Sequence, residues 1–264
     1  INNGNITVTA ASGNEGAGGI AGTLSGGSIT ECVNTGAVKF VKAADAQDAV
    51  SVNAGGIAGL MRSIGVATAI TNSYNRGAVD CSNGAATSAC GGITGCNDIS
   101  NQAAGSIKDC YSTGTIAGNA ALTGGVTGVR SESDKTDYDN DYYINNTVNS
   151  ANGGIAGAEA SDTANKTLAK SESELKALAA DLGDVYTSDS ASPINDGYPV
   201  LKWQTEASEE PEPDTGWDGT TADTEWYDDN TSADTFTIRT PEDLAGLAKL
   251  VSEGTNFAGK TVEL

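Results

Sequence analysis

The sequence predicts an all-β chain built as a β-solenoid. Two submotifs recur in fixed order at near-constant spacing, and large core-filling side chains are scarce. Glycine supplies 34 of 264 residues, about 13% against a usual level near 7%. Three Trp, eight Tyr, three Phe and one Met cannot fill a large globular core of the usual kind. Yet 38% hydrophobic residues is too many for a disordered chain, so the glycines must be structural.

The first submotif is Gly-Gly-(Ile/Val)-(Ala/Thr)-Gly, beginning at Gly18, Gly55, Gly91, Gly124 and Gly153. The second follows the first three copies: Ile29 to Val38, Ile70 to Val79 and Ile107 to Ile116. Each carries Cys or Ser at its fourth position (Cys32, Ser73, Cys110) and Asn or Ser at its sixth (Asn34, Asn75, Ser112). The start, Asn2 to Ile6, reads as the tail of this element, and Tyr142 to Asn145 as a degenerate copy in the fourth unit. Short apolar-small alternation bounded by Gly and Asn is strand-and-turn chemistry. No unit could bury its apolar side alone, so the units must stack, about 4.8 Å apart. Ile20, Ile57, Ile93, Val126 and Ile155 are then expected to form one internal ladder, and Val38, Val79 and Ile116 another. The repeat length suits one three-sided coil with a loop, or else two smaller coils.

After the last repeat, Ser171 to Glu174 forms a capping box. Leu175, Leu178 and Leu182 share one face of the helix that follows, until Gly183. Ile194 to Trp203 supplies a turn and an apolar strand, and the two together are expected to shield the last edge of the stack. Residues 205–235 hold 11 acids and no base, including Glu209 to Asp214, which reads as a solvated linker. Beyond it, Glu225-Trp-Tyr and Thr235 to Ile238 read as short strands. Thr240 caps a helix with Pro241 at its first position and Leu244, Leu247, Ala248 and Val251 as its apolar stripe; Gly254 ends it. Thr261 to Leu264 reads as a strand without a partner, so residues 225–264 are expected to open a further module. The divisions are residues 1–204 (solenoid with its C-terminal cap), 205–224 (linker) and 225–264 (start of a second solenoid module).

Composition narrows the function. There is no histidine, which excludes Ser-His, Cys-His and HExxH chemistry. The net charge of −21 disfavours nucleic acid, and no apolar run reaches the 18 or so residues of a membrane span. Residues 1–130 carry 7 acids and 6 bases, a net of −1, so nearly all the charge lies beyond them. No charged-then-apolar leader follows Ile1, so any export signal is expected outside this region. Cys32 and Cys110 sit two strand spacings apart, with Ser73 between, too far for a disulfide; both read as core filler. Cys81 shares the parity of Val79 and reads as core, with a Cys81–Cys90 bridge as the competing reading. With no C-x-x-C, Cys96 joins no zinc pattern.

The alternate carboxylates Asp137, Asp139 and Asp141 could converge on calcium, against a plainer reading as an exposed acidic loop. Tyr138, Tyr142 and Tyr143 form either a recognition patch or packing against the coil. No catalytic, cofactor or metal residue is assigned, and the chain reads as non-enzymatic.

The pairing of Gly-Gly-Ile-Ala-Gly with Ile-x-x-Cys/Ser-Tyr-Asn-x-Gly-x-Val resembles the GLUG-motif repeat of bacterial cell-surface proteins. Asp196 to Gln204 is similar to the end of such regions, and Thr240 to Leu264 to the start of one. The resemblance implies a right-handed β-helix in a secreted or wall-attached protein, adhesin-like or part of an immunoglobulin-A metalloprotease. The zinc domain of such proteases has no counterpart here. The fourth unit departs from the pattern, with an acidic, Tyr-rich stretch from Ser131 to Asn146. The expected role is a rigid stalk or adhesive module, binding a host protein or glycan through loops at Phe40–Asn53 and Ser131–Asn146. The alternative is a substrate-positioning region of a secreted protease or glycan-degrading enzyme.

Overall fold

A computed structural model describes residues 1–11, 14–46, 50–63, 65–99, 104–131, 134, 136–144, 153–156, 161–162, 166–189, 193–205, 219–229 and 231–263. The chain forms two compact units, Ile1–Lys202 and Trp203–Leu264. The first is mostly β, with parallel sheets stacked in register, an arrangement compatible with a solenoid.

Each repeat makes one circuit through five sheets. The first sheet holds Ile6–Ala10, Val38–Lys42, Val79–Asp80 and Ile116–Ala117. The second holds Asn14–Gly18, Ser51–Gly55, Ala89–Gly91 and Thr123–Gly124. The third holds Ala21–Ser25, Ala58–Ser63, Thr94–Ile99 and Thr127–Arg130. The fourth holds Gly27–Thr30, Thr68–Thr71, Gly105–Lys108 and Thr136–Asp139. The fifth holds Val33–Asn34, Tyr74–Asn75, Tyr111–Ser112, Asp141–Ile144 and Thr167–Lys170, with Ser161–Asp162 added antiparallel. One coil per repeat is the arrangement found, but with five short strands instead of three sides. The cause is the frequency of turning residues. The Gly-Gly step, the corner before Cys32, Ser73 and Cys110, and the Asn-x-Gly step each redirect the chain after two to six residues.

The ladders run through the stack. Ile57, Ile93 and Val126 are fully buried, and the carbonyls of all three each accept two backbone N–H groups from the preceding circuit. Ile20, first in that column, is 36% exposed because nothing precedes it among the described residues. Val38, Val79 and Ile116 are register partners. So are Ile29, Ile70, Ile107 and Tyr138, which corrects the reading of Ser131–Asn146 as a departure from the pattern. The fourth unit keeps the element, with Tyr138 in the isoleucine position and Tyr142 opposite Tyr111.

A polar ladder fills the interior of the fifth sheet. Asn34 and Asn75 are fully buried. Asn2 Nδ2 donates to Asn34 Oδ1 (2.7 Å), Asn34 Nδ2 to Asn75 Oδ1 (2.8 Å) and Asn75 Nδ2 to Ser112 Oγ (3.3 Å). Asn34 and Asn75 also donate to the carbonyls of Gly36 and Gly77, closing the turn that follows each. The second glycine of the pentapeptide lies against this ladder. A methyl at Gly56 would sit 2.2 Å from Asn75 Cγ and 2.2 Å from the Gly92 carbonyl oxygen. Glycine is therefore a steric requirement there.

The opposite face of the fifth sheet carries Val33, Tyr74, Tyr111 and Tyr142. Tyr74 and Tyr111 stack at 4.7 Å. Over them packs the segment from residue 171 to 201. Its helix Glu172–Lys176 has the expected capping box, Leu175, Leu178 and Leu182 are buried, and Gly183 turns at φ +98°. Val200–Leu201 pairs antiparallel with Tyr186–Thr187. The segment reaches well back along the stack: Arg76 bonds Asn195 (2.8 Å) and Asp196 (2.6 Å), and Tyr111 donates to the Pro199 carbonyl.

Cys81 and Cys90 form a disulfide, Cα atoms 6.3 Å apart, on the turn between the first and second sheets. Both are buried, so the core reading of Cys81 and the bridge coexist. Cys32, Cys96 and Cys110 are free.

Most of the expected linker, residues 206–218, lies outside the described residues. Thr235–Thr237 and Thr261–Glu263 are parallel neighbours, Phe236 opposite Val262, so the final strand has a partner, contrary to expectation. Glu225–Asp228 is a helical turn rather than a strand. A strand would send Trp226 and Tyr227 to opposite faces; the turn brings both rings onto Phe236 and Phe257, at 5.2 to 6.2 Å. The helix Pro241–Ser252 has its Thr240–Asp243 capping box. It buries Asp243, Gly246 and Leu250, while Leu244 and Val251 are 50% and 55% exposed. The expected stripe is out of phase because Asp243 must face inward to receive the Arg239 and Thr240 N–H groups.

Two predictions follow the packing. Gly56→Ala destabilises the chain by more than about 2 kcal/mol, since overpacking meets backbone and a hydrogen-bonded amide; urea unfolding measures it. Reduction of Cys81–Cys90, or Cys81→Ser with Cys90→Ser, costs about 2–3 kcal/mol for a loop this short, read as a lower urea midpoint.

Candidate functional site

The stretch singled out by its carboxylates and tyrosines is a pair of strands in the fourth circuit, not a projecting loop. The corner at Asn140, between the strands Thr136–Asp139 and Asp141–Ile144, separates the carboxylates. Asp137 points outward to Lys108 (2.9 Å) and Asp139 to Lys166 (2.8 Å), while Asp141 is fully buried with Oδ1 accepting the Cys110 N–H at 3.1 Å. The three do not converge as a calcium site would require. Among the described residues no group of three His, Cys, Asp or Glu side chains is placed to hold a metal.

Tyr138, Tyr142 and Tyr143 are all buried, so packing against the coil is the reading that holds. Tyr138 donates to Thr127 Oγ1 and accepts from Asn97 Nδ2 (2.7 Å), and burial pushes its hydroxyl well above the ordinary tyrosine range. In the other expected loop, Phe40 is buried in a strand and Ser51–Asn53 lies in the next. Residues 47–49, 145 and 146 lie outside the described residues.

The fourth position of the repeat element forms a column of its own. Cys32 N–H donates to Ser73 Oγ (3.0 Å) and Ser73 Oγ to the Thr71 carbonyl (2.8 Å). Cys110 is fully buried and its thiol is held well above the ordinary range; burial also pushes Cys96 up to about 12. Neither Cys96 nor Cys110 is set up as a thiolate nucleophile. Asp141 continues this column opposite Thr167. Burial raises its carboxyl well above the ordinary value, and neither its Oδ2 nor Thr167 Oγ1 has a protein partner.

What the fourth circuit does form is a shallow groove of about 440 Å³, lined by Asp109, Asp139, Asn140, Tyr142, Lys166 and Leu168. Its wall is one repeat position, the corner between the fourth and fifth sheets. Glu31, Asn72, Asp109, Asn140 and Lys166 occupy that corner in successive circuits, all with positive φ between 49° and 62°. Asn140 Nδ2 donates to Asp109 Oδ1 (2.6 Å) and to the Asp181 carbonyl (2.5 Å), and Tyr142 donates to Asn140 Oδ1. Asn140 falls within the Ser131–Asn146 stretch expected to read a ligand, whereas Asp109, Lys166 and Leu168 had no functional signal in the sequence. The one available clue was the residue just before the Cys/Ser position, which is polar in every repeat.

Because the folded chain holds the Asp141 proton more tightly than the unfolded chain does, stability falls as pH rises above about 4, the ordinary carboxyl value. Asp141→Asn keeps the Oδ1 acceptor and removes the buried charge. Urea midpoints measured against pH are expected to show the variant more stable than the parent near neutrality, the gap closing toward acid. Comparison of the chain with protein-family models, curated proteins and solved structures finds no match.

Proposed function

We propose that this chain is a non-catalytic segment of a bacterial surface protein, a rigid stalk or adhesive module of the GLUG-repeat type. On this reading the first unit is a right-handed β-helix, with the segment after residue 171 as its capping brace. The second unit opens a following module. The observation that carries the proposal is the continuous internal ladder from Asn2 to Ser112. It ties successive circuits together by side chains as well as backbone, which suits a load-bearing element. The Cys81–Cys90 bridge fits an oxidising, extracellular setting. The seven acids and absence of bases in residues 205–224 fit an extended linker between modules.

The test is mechanical. The 264-residue chain is placed between two copies of a reference domain and pulled by single-molecule force spectroscopy. A stalk unfolds at forces above those of the reference domains. Extension of the repeat unit at lower force would remove the stalk reading.

A further inference from the structure

We propose that the groove formed by Asp109, Asp139, Asn140, Tyr142, Lys166 and Leu168 is a binding site for a neutral saccharide, engaged through vicinal hydroxyls. The proposal deepens the adhesive reading above and rests on it.

The first support is the backbone of the corner. Left-handed conformation costs an L-residue roughly 1–2 kcal/mol, and glycine avoids that cost. Asp109 and Asn140 belong to types that tolerate it; Lys166 adopts it at φ +52°, as Glu31 does at the same corner of the first circuit, so the repeat itself fixes the backbone from which the Lys166 side chain leaves. The Lys166 ammonium reaches Asp139 from this corner, and the pair remains 53% and 43% exposed.

The second support is the order of the polar groups. The Asp109 and Asp139 carboxylates and the Lys166 ammonium give acceptors and donors held in place before any ligand arrives, and the Asn140 carboxamide, both of whose N–H groups are engaged, positions Asp109. Asn140 is fixed from three sides, by Asp109, Asp181 and Tyr142. Adjacent hydroxyls of a sugar ring can donate to a carboxylate and accept from the ammonium at once, and groups fixed in advance reduce the ordering cost of binding. Leu168 lies in register beside Tyr142 and supplies apolar surface for the C–H face of a ring.

Charge selects among sugars. Asp109 and Asp139 against Lys166 leave the groove at −1, on a chain of −21. A sialylated or sulfated ligand would bring like charge onto two carboxylates.

The 264-residue chain is applied to an array holding neutral, sialylated and sulfated oligosaccharides and to a host-protein array. The best neutral oligosaccharide is then titrated by calorimetry. Lys166→Gly and Asn140→Gly keep the left-handed backbone and remove the side chain. Each is expected to weaken neutral-saccharide binding by at least about tenfold, with Lys166→Gly not lowering the melting temperature. The groove assignment falls if neutral saccharides do not bind, if both variants bind like the parent, or if charged glycans are preferred. Retained binding in both variants, or binding to a host protein alone, would leave the adhesive reading standing without this groove. No binding on either array would end the adhesive reading as well.

Discussion

The contact between a buried asparagine and a glycine methylene is the constraint on which the rest of the first unit depends. An amide in an apolar interior must have its hydrogen bonds made, and Asn34 and Asn75 make theirs along the stack and back onto their own turn. That fixes both the spacing of circuits and the position of the turn. It also fills the space where a side chain on the neighbouring strand would stand, so the second residue of the pentapeptide has no Cβ. Two submotifs far apart in a repeat are thus one physical unit. In later circuits the same site is filled by Ser112, Tyr143 and Thr167, each facing the corresponding glycine.

This coupling explains what the sequence made legible. Ladder positions could be assigned from spacing alone, because stacking demands the same residue class at the same place in every circuit. Helix starts at Ser171 and Thr240 were equally readable, since capping is local chemistry. What escaped was set by contacts distant in sequence. The number of strands per circuit depends on how corners fold. The phase of the helix after Thr240 depends on Asp243 turning inward, and the fate of Trp226 and Tyr227 on Phe236 and Phe257 arriving beside them. The acidic, aromatic look of Ser131–Asn146 concealed an ordinary circuit in which tyrosines do the work of isoleucines.

The groove shows the same division. Its residues come from three circuits and three repeat positions, so no contiguous motif marks all of them. The carboxylates that drew attention stand at alternate positions, which a strand keeps on one face, and the corner at Asn140 turns Asp141 away from Asp137 and Asp139. Those that share a surface, Asp109 and Asp139, lie one circuit apart.

Arrays of near-identical repeats ordinarily gain and lose copies when their genes recombine out of register. The segment packed along the flank changes that for this chain. It binds Arg76 in one circuit, Tyr111 and Asp109 in the next, and Asn140 in the one after. Insertion or deletion of a circuit between them would pull these partners apart by a whole strand spacing and leave a half-buried arginine and a buried tyrosine without their contacts. The flank therefore acts as a template for copy number, and unequal crossing-over within these circuits would be selected against even where it preserves the repeat perfectly.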